Sequence, residues 1–194
     1  MASSSQIALP EYVDDIFGWH AGTTTLTNVQ GLMGQSPFHV RGDAASSETF
    51  ICYVIRDTNQ SWIVTFTSDN ELADVSSHEL TGIELTRLDA GLHASNDCTV
   101  ALDNRDVMTL VRMSETDFMA KFSPPVVHKG EYGGSICVEN PIDRKDPAYQ
   151  YWRGKKNCFP EGKEPYVNVC TTWGAQFRDK VLTKLTVKRV SSVC

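Results

Sequence analysis

The sequence predicts an all-β protein with a helix near each end, and three observations carry that prediction. Apolar residues in the middle of the chain fall in short runs, most of them set off by Gly, Pro, Asn, Asp or Ser, as strands divided by turns would be. Helical spacing of apolar residues is confined to one segment near each terminus. At 194 residues, with 41% hydrophobic and 22% charged content, the chain can bury a core. Many closely spaced strands with so little helix describe a sandwich or a pair of barrels.

Near the N-terminus, Leu9, Tyr12, Val13, Ile16 and Phe17 recur at helical spacing, Pro10 sits where a first-turn proline is tolerated, and Gly18 can end the turn. A short amphipathic helix is expected there. Strands are expected over residues 49–55, 62–66, 82–88, 98–102, 107–111, 135–138, 149–152 and 166–169. Trp173, Phe177 and Val181 then step by four, with Leu182 and Leu185 continuing a broad apolar face, which reads as a C-terminal amphipathic helix. Residues 139–162 are polar and rich in turn formers, the pattern of surface loops around one strand.

A net charge of −6 and a pI near 5.3 give no basic footprint, so nucleic acid and anionic membrane surfaces are not expected partners. No apolar run is long enough to cross a bilayer, and residues 1–6 are too polar to start a signal peptide. The expectation is a cytosolic chain or one numbered after its signal was removed. The six cysteines, Cys52, Cys98, Cys137, Cys158, Cys170 and Cys194, show no Cys-x-x-Cys and no zinc-ligand spacing, so neither a metal nor a cofactor is expected. They suit either disulfides, with fifteen pairings open, or small buried thiols.

Four segments resemble the chymotrypsin-like serine protease family, and in the family's order. Phe50-Ile51-Cys52 followed by Trp62-Ile63-Val64-Thr65 is similar to its cysteine-bearing strand and the strand leading to the triad histidine. Asn96-Asp97-Cys98-Thr99-Val100-Ala101-Leu102 resembles the strand with the triad aspartate. Gly130-Glu131-Tyr132-Gly133-Gly134-Ser135-Ile136-Cys137-Val138 resembles the nucleophile loop, a Gly-Asp-Ser-Gly-Gly run entering a strand. Tyr151-Trp152-Arg153 with Cys158, then Pro165-Tyr166-Val167-Asn168-Val169 and the terminal apolar face, resemble the family's substrate-binding strand, its last strand and its terminal helix.

The resemblance implies a double β-barrel, with a first barrel over about residues 35–112 and a second barrel plus terminal helix over about 113–194, preceded by an extension at 1–34. It also implies lost chemistry. The mechanism needs a histidine as general base, an aspartate to orient it and a nucleophile beside an oxyanion hole. The corresponding positions are Ser68, Asp97 and Tyr132, so no catalytic residue is expected. With 34 residues between Asp97 and Tyr132, the second barrel is expected to be reduced, leaving strand edges for residues 1–34 or a partner chain to cover. Val126 and Arg153 fall where the family shapes its primary pocket, beside Trp152, and Glu131 precedes the nucleophile position. Processing would fall near Leu26-Thr27, but Thr23-Thr24-Thr25 offers no basic residue for it.

The expected function is that of an inactive serine protease homologue, a pseudoenzyme that binds a protein partner or self-associates. Two alternatives stay open: a divergent hydrolase recruiting Ser68, Ser135 or a cysteine with a histidine, and an unrelated β-sandwich of lectin-like or viral structural type. Arg41-Gly42-Asp43 and the sequon Asn59-Gln60-Ser61 both read first as turn chemistry.

Overall fold

The computed structural model describes residues 15–16, 19–20, 23–42, 47–57, 60–69, 78–88, 97–101, 105–122, 126–145, 149, 153 and 164–192. The strands are β1 (Asp15–Ile16), β2 (Trp19–His20), β3 (His39–Arg41), β4 (Glu48–Arg56), β5 (Ser61–Ser68), β6 (Gly82–Leu88), β7 (Thr99–Val100), β8 (Val126–His128), β9 (Glu131–Pro141), β10 (Tyr166–Arg178) and β11 (Val181–Ser192). The helices are α1 (Leu26–Met33), α2 (Arg105–Val111) and α3 (Glu115–Phe122). Strands β1 and β2 pair with each other.

All other strands join one sheet in the order β3-β4-β5-β6-β11-β10-β9-β8, with β7 alongside β4. Every pairing is antiparallel except β7 on β4. The path is open, with β3 and β7 on one outer edge and β8 on the other. The protein is thus mostly antiparallel β-sheet, as the sequence predicts. The double barrel is a different matter: β6 pairs directly with β11, so strands from both expected barrels belong to one continuous sheet.

Strand β4 is the centre of the core. Ile51 through Ile55 are all buried, the continuous apolar run of a strand covered on both faces. Its neighbour β5 alternates instead, burying Trp62, Val64 and Phe66. Helix α1 packs against both strands with Leu26, Val29 and Met33. It starts where Thr25 accepts from the Asn28 backbone N–H at 3.2 Å while the Asn28 side chain accepts from the Thr25 N–H at 2.9 Å. It ends at Gly34, whose φ of 98° favours glycine. Ser36 Oγ donating to the Cys52 carbonyl and Tyr53 Oη to the Gly34 carbonyl tie the helix end to β4. Within the described part of the N-terminal extension, α1 lies against β4 and β5, and the Leu26-Thr27 position lies inside the helix.

Predicted strands at 49–55, 62–66, 82–88, 135–138 and 166–169 fall in β4, β5, β6, β9 and β10, and 98–102 shortens to β7. Four expectations fail. Residues 107–111 form α2: Val107, Thr109 and Val111 alternate as in a strand, but Val107, Met108 and Val111 are the side chains buried, at helical spacing. The C-terminal helix is instead the β10–β11 hairpin, because a step of four from Trp173 to Phe177 is also two strand periods, with Ala175 buried between them. Asp179 and Lys180, at φ 51° and 64°, supply its two-residue turn. Asp15 and Ile16 pair with Trp19 and His20 where a helix is expected; residues 9–14, 17 and 18 lie outside the described residues. Tyr149 is helical where a strand is expected, and 150–152 lie outside the described residues.

Candidate functional site

The three triad-like positions lie on different elements. Ser68 ends β5, fully buried at 0% exposure and paired with Thr49. Asp97 is held next to β4 by the Cys52–Cys98 disulfide, and its backbone carbonyl accepts from His39 Nε2 at 3.2 Å. Tyr132 lies on β9, and β6, β11 and β10 stand between it and the strand of Ser68. Its ring is 9% exposed among Phe118 and Phe177, and its hydroxyl donates to Glu115 Oε1 at 2.5 Å. That hydrogen bond, then burial and then the Glu115 charge, hold the phenol above its ordinary pKa.

Of the expected binding residues, Val126 is 63% exposed on β8, Glu131 is exposed at the start of β9 opposite His128, and Trp152 lies outside the described residues. Arg153 stacks its guanidinium 6.0 Å from the Tyr149 ring. Tyr149 in turn donates to Glu164, which also accepts from Arg144 at 2.5 Å. The Tyr149 hydrogen bond is the main cause of the lowered Glu164 pKa. This cluster ties the turn after β9 to the start of β10. Arg41 pairs with Glu48 and lies 5.1 Å from the Phe50 ring, while Asp43 lies outside the described residues. His78 is buried; His93 lies outside the described residues.

The glycines around Tyr132 have steric reasons. Gly130 turns the β8–β9 hairpin at φ 75°, where a Cβ would come within 2.7 Å of the Phe177 carbonyl oxygen. Gly134 stands opposite Trp173 in the register, and a Cβ there would meet the indole Nε1 at 3.0 Å. The run that resembles a nucleophile loop is, beyond Gly130, the first part of strand β9, thinned so that Trp173 can lie against it.

Strand β9 carries the feature with most chemical consequence. It runs for 11 residues along β10, yet on its other side β8 pairs only with Glu131 and Tyr132. The parity of its hydrogen bonds is fixed by two observations. Phe177 N–H donates to the Gly130 carbonyl at 2.7 Å and Ile142 N–H to the Pro165 carbonyl at 2.9 Å, so even-numbered positions bond toward β10. Cys137 and Cys170 face each other with Cα atoms 4.0 Å apart, the close approach of a non-hydrogen-bonded pair. The N–H and C=O groups of Gly133, Ser135, Cys137 and Glu139 therefore point away from β10, and among the described residues no strand pairs with them.

Among the described residues this edge lacks the usual protection. Natural edges are blunted by lysine, proline, bulges or a covering element, whereas Gly133 through Val138 carry no charge and no proline. Ser135, Cys137, Val138 and Glu139 are exposed. The Cys137–Cys170 disulfide clamps the edge strand to its neighbour, so the open row of donors and acceptors is rigid before any partner arrives. The sequence pattern identifies a strand here but not its open edge, because pairing partners are not written in a single strand's pattern. Gly130 is the available turn signal.

Comparisons with protein-family models, with curated proteins and with solved structures give no match. The chymotrypsin-like resemblance therefore rests on its four sequence segments alone.

Proposed function

We propose that the chain is a non-catalytic protein-binding module that recruits an extended segment of its partner onto the open edge of β9. The single observation that carries this reading is the covalently clamped row of backbone groups at Gly133, Ser135, Cys137 and Glu139, with which no strand among the described residues pairs. Strand addition uses such an edge: main-chain hydrogen bonds give affinity, and alternate side chains give selectivity. The burial of Ser68 and the engagement of Tyr132 with Glu115 support the non-catalytic half of the reading, since both side chains are committed to the interior. Two disulfides support a setting outside the reducing cytosol.

The test uses the full chain as bait in the fluid or tissue it comes from. Ser135→Pro removes one outward N–H at a position where an edge strand tolerates proline. Leu32→Lys alters α1 at a side chain 62% exposed and away from the edge. Proteins retained by the wild type and by Leu32→Lys but released by Ser135→Pro are the expected result. Retention that is identical for all three baits overturns the reading.

A further inference from the structure

We infer that the segment received by the β9 edge is the β9 edge of a second copy of this chain, paired antiparallel about a two-fold axis at Cys137. This rests on the edge-binding reading above and names its occupant. The geometry selects the register. Strand β8 blocks β9 at Glu131 and Tyr132 and places a Val127 methyl 3.6 Å from where a Gly133 Cβ would be, so the accessible stretch is Ser135 to Glu139, with Cys137 at its middle. Outward-facing groups recur at every second residue, so an antiparallel copy can bond only odd position to odd position. The register centred on Cys137 satisfies this, setting Ser135 against the partner's Glu139 and Cys137 against the partner's Cys137.

The side chains agree with that register. A two-fold pair is self-complementary only if no residue meets its like charge. Glu139, the one charge in the stretch, meets a serine hydroxyl that can donate to it. On the opposite face of the strand Val138, which is 52% exposed in the single chain, would be covered. About six backbone hydrogen bonds would form, two for each pair of facing residues. A partner selected by charge would need a charged edge, whereas here the accessible row is neutral up to Glu139, despite a net charge of −6 for the whole chain. The product would be one sheet continuous through two copies.

Sedimentation of the full chain across a concentration series, with amide hydrogen exchange read at Ser135, Cys137 and Glu139, tests this. The expected result is a reversible dimer for the wild type and for Leu32→Lys, with the three amides protected only in the dimer. Ser135→Pro should be at least tenfold weaker in self-association. Val138→Lys, which leaves the backbone bonds to β10 in place, gives an independent variant should Ser135→Pro misfold, and it too should shift the chain toward monomer. A wild type that stays monomeric at the highest concentration, with the three amides exchanging fast, overturns self-pairing and leaves the edge reading intact for another occupant. A monomer in which those amides are already slow overturns both. A dimer unaffected by either edge variant also overturns self-pairing.

Discussion

Strands β4, β5 and β6 and strands β9, β10 and β11 belong to one sheet but are held in different ways. In the first group α1 covers the sheet and β4 is buried on both faces, so its stability comes from apolar burial. In the second, the side chains from Trp173 to Leu185 join that core, but the far ends do not. Val138 and Val190 are exposed, β6 reaches only Lys184 to Lys188 of β11, and among the described residues no strand lines the outer side of β9 past Tyr132. Ladder hydrogen bonds and the Cys137–Cys170 clamp hold that end. A strand that gains little from burial can present its edge to a partner only if something else keeps it straight, and the cross-strand disulfide does so.

The largest effect that would break this comparison lies at Trp62. It is almost fully buried on β5, and Trp62→Ala should cost about 3–5 kcal/mol by combining lost transfer energy with a cavity. Val138→Ala, at the exposed end of β9, should change stability by less than about 0.5 kcal/mol. Denaturant midpoints for the two variants check both values. Similar losses would mean that the β9 end is buried against something in solution and is no open edge.

The disulfides rank next. Chain entropy alone nearly equates them, because their sequence separations of 46 and 33 residues both correspond to about 4 kcal/mol. Their surroundings separate them. Cys52 is buried on β4 and its bridge holds β7 and Asp97 against that strand, so Cys52→Ala with Cys98→Ala should lose close to that full amount. Cys137 is exposed and its partner strand is already paired over 11 positions, so Cys137→Ala with Cys170→Ala should lose about 2–3 kcal/mol and should fray the edge locally. Unfolding midpoints give the global losses, and hydrogen exchange at Val138 and Asn140, whose N–H groups bond toward β10, gives the local one. A larger global loss from the second pair would reverse the assignment of what stabilises each region.

Legibility in the sequence divides along the same line. The strands of the covered half are readable because burial imposes composition: an unbroken apolar run at 51–55 and alternation at 62–66 leave little choice. The helices are hidden by ambiguity. A residue pattern such as Val107, Thr109, Val111 fits a strand until Met108 is known to be buried too. Ser114 with Asp117, whose N–H donates to Ser114 Oγ at 3.1 Å, is a start signal for α3 that the short apolar content of the helix leaves faint. Thr25 and Gly34 around Leu26, Val29 and Met33 make a complete helix signature, which the protease resemblance reads as a processing site. The hairpin at Asp179-Lys180 is faint for a physical reason, since a two-residue turn of this kind is normally advertised by Asn-Gly, Asp-Gly or Gly-Gly and here Lys180 stands where glycine is usual. The candidate site is least legible, because Gly133 to Glu139 look the same whether or not another strand lies beside them.

The smallest effect distinguishes the regions by pH. Tyr53, in the covered half, is pushed up to about 12 by burial, and its hydroxyl donates to the Gly34 carbonyl at 2.6 Å. Tyr132, at the start of the open strand, is raised chiefly by its hydrogen bond to Glu115. In both cases the folded state holds the phenolic proton more tightly than the unfolded chain, whose tyrosines titrate near pH 10. Stability from these groups is therefore complete below about pH 10 and is lost as pH rises through the folded-state values. Tyr53→Phe should cost about 1 kcal/mol at neutral pH through the lost hydrogen bond, yet flatten the fall in stability between about pH 10 and 12. Tyr132→Phe should flatten it as well, but only while Glu115 can accept the hydrogen bond, so adding Glu115→Gln should remove most of that second effect. Unfolding midpoints across this range in the single variants, with Tyr132→Phe repeated in the Glu115→Gln background, separate a phenol shifted by burial from one shifted by a carboxylate. If Glu115→Gln altered the Tyr53 contribution instead, the two regions would share one titrating network and the division between them would fail.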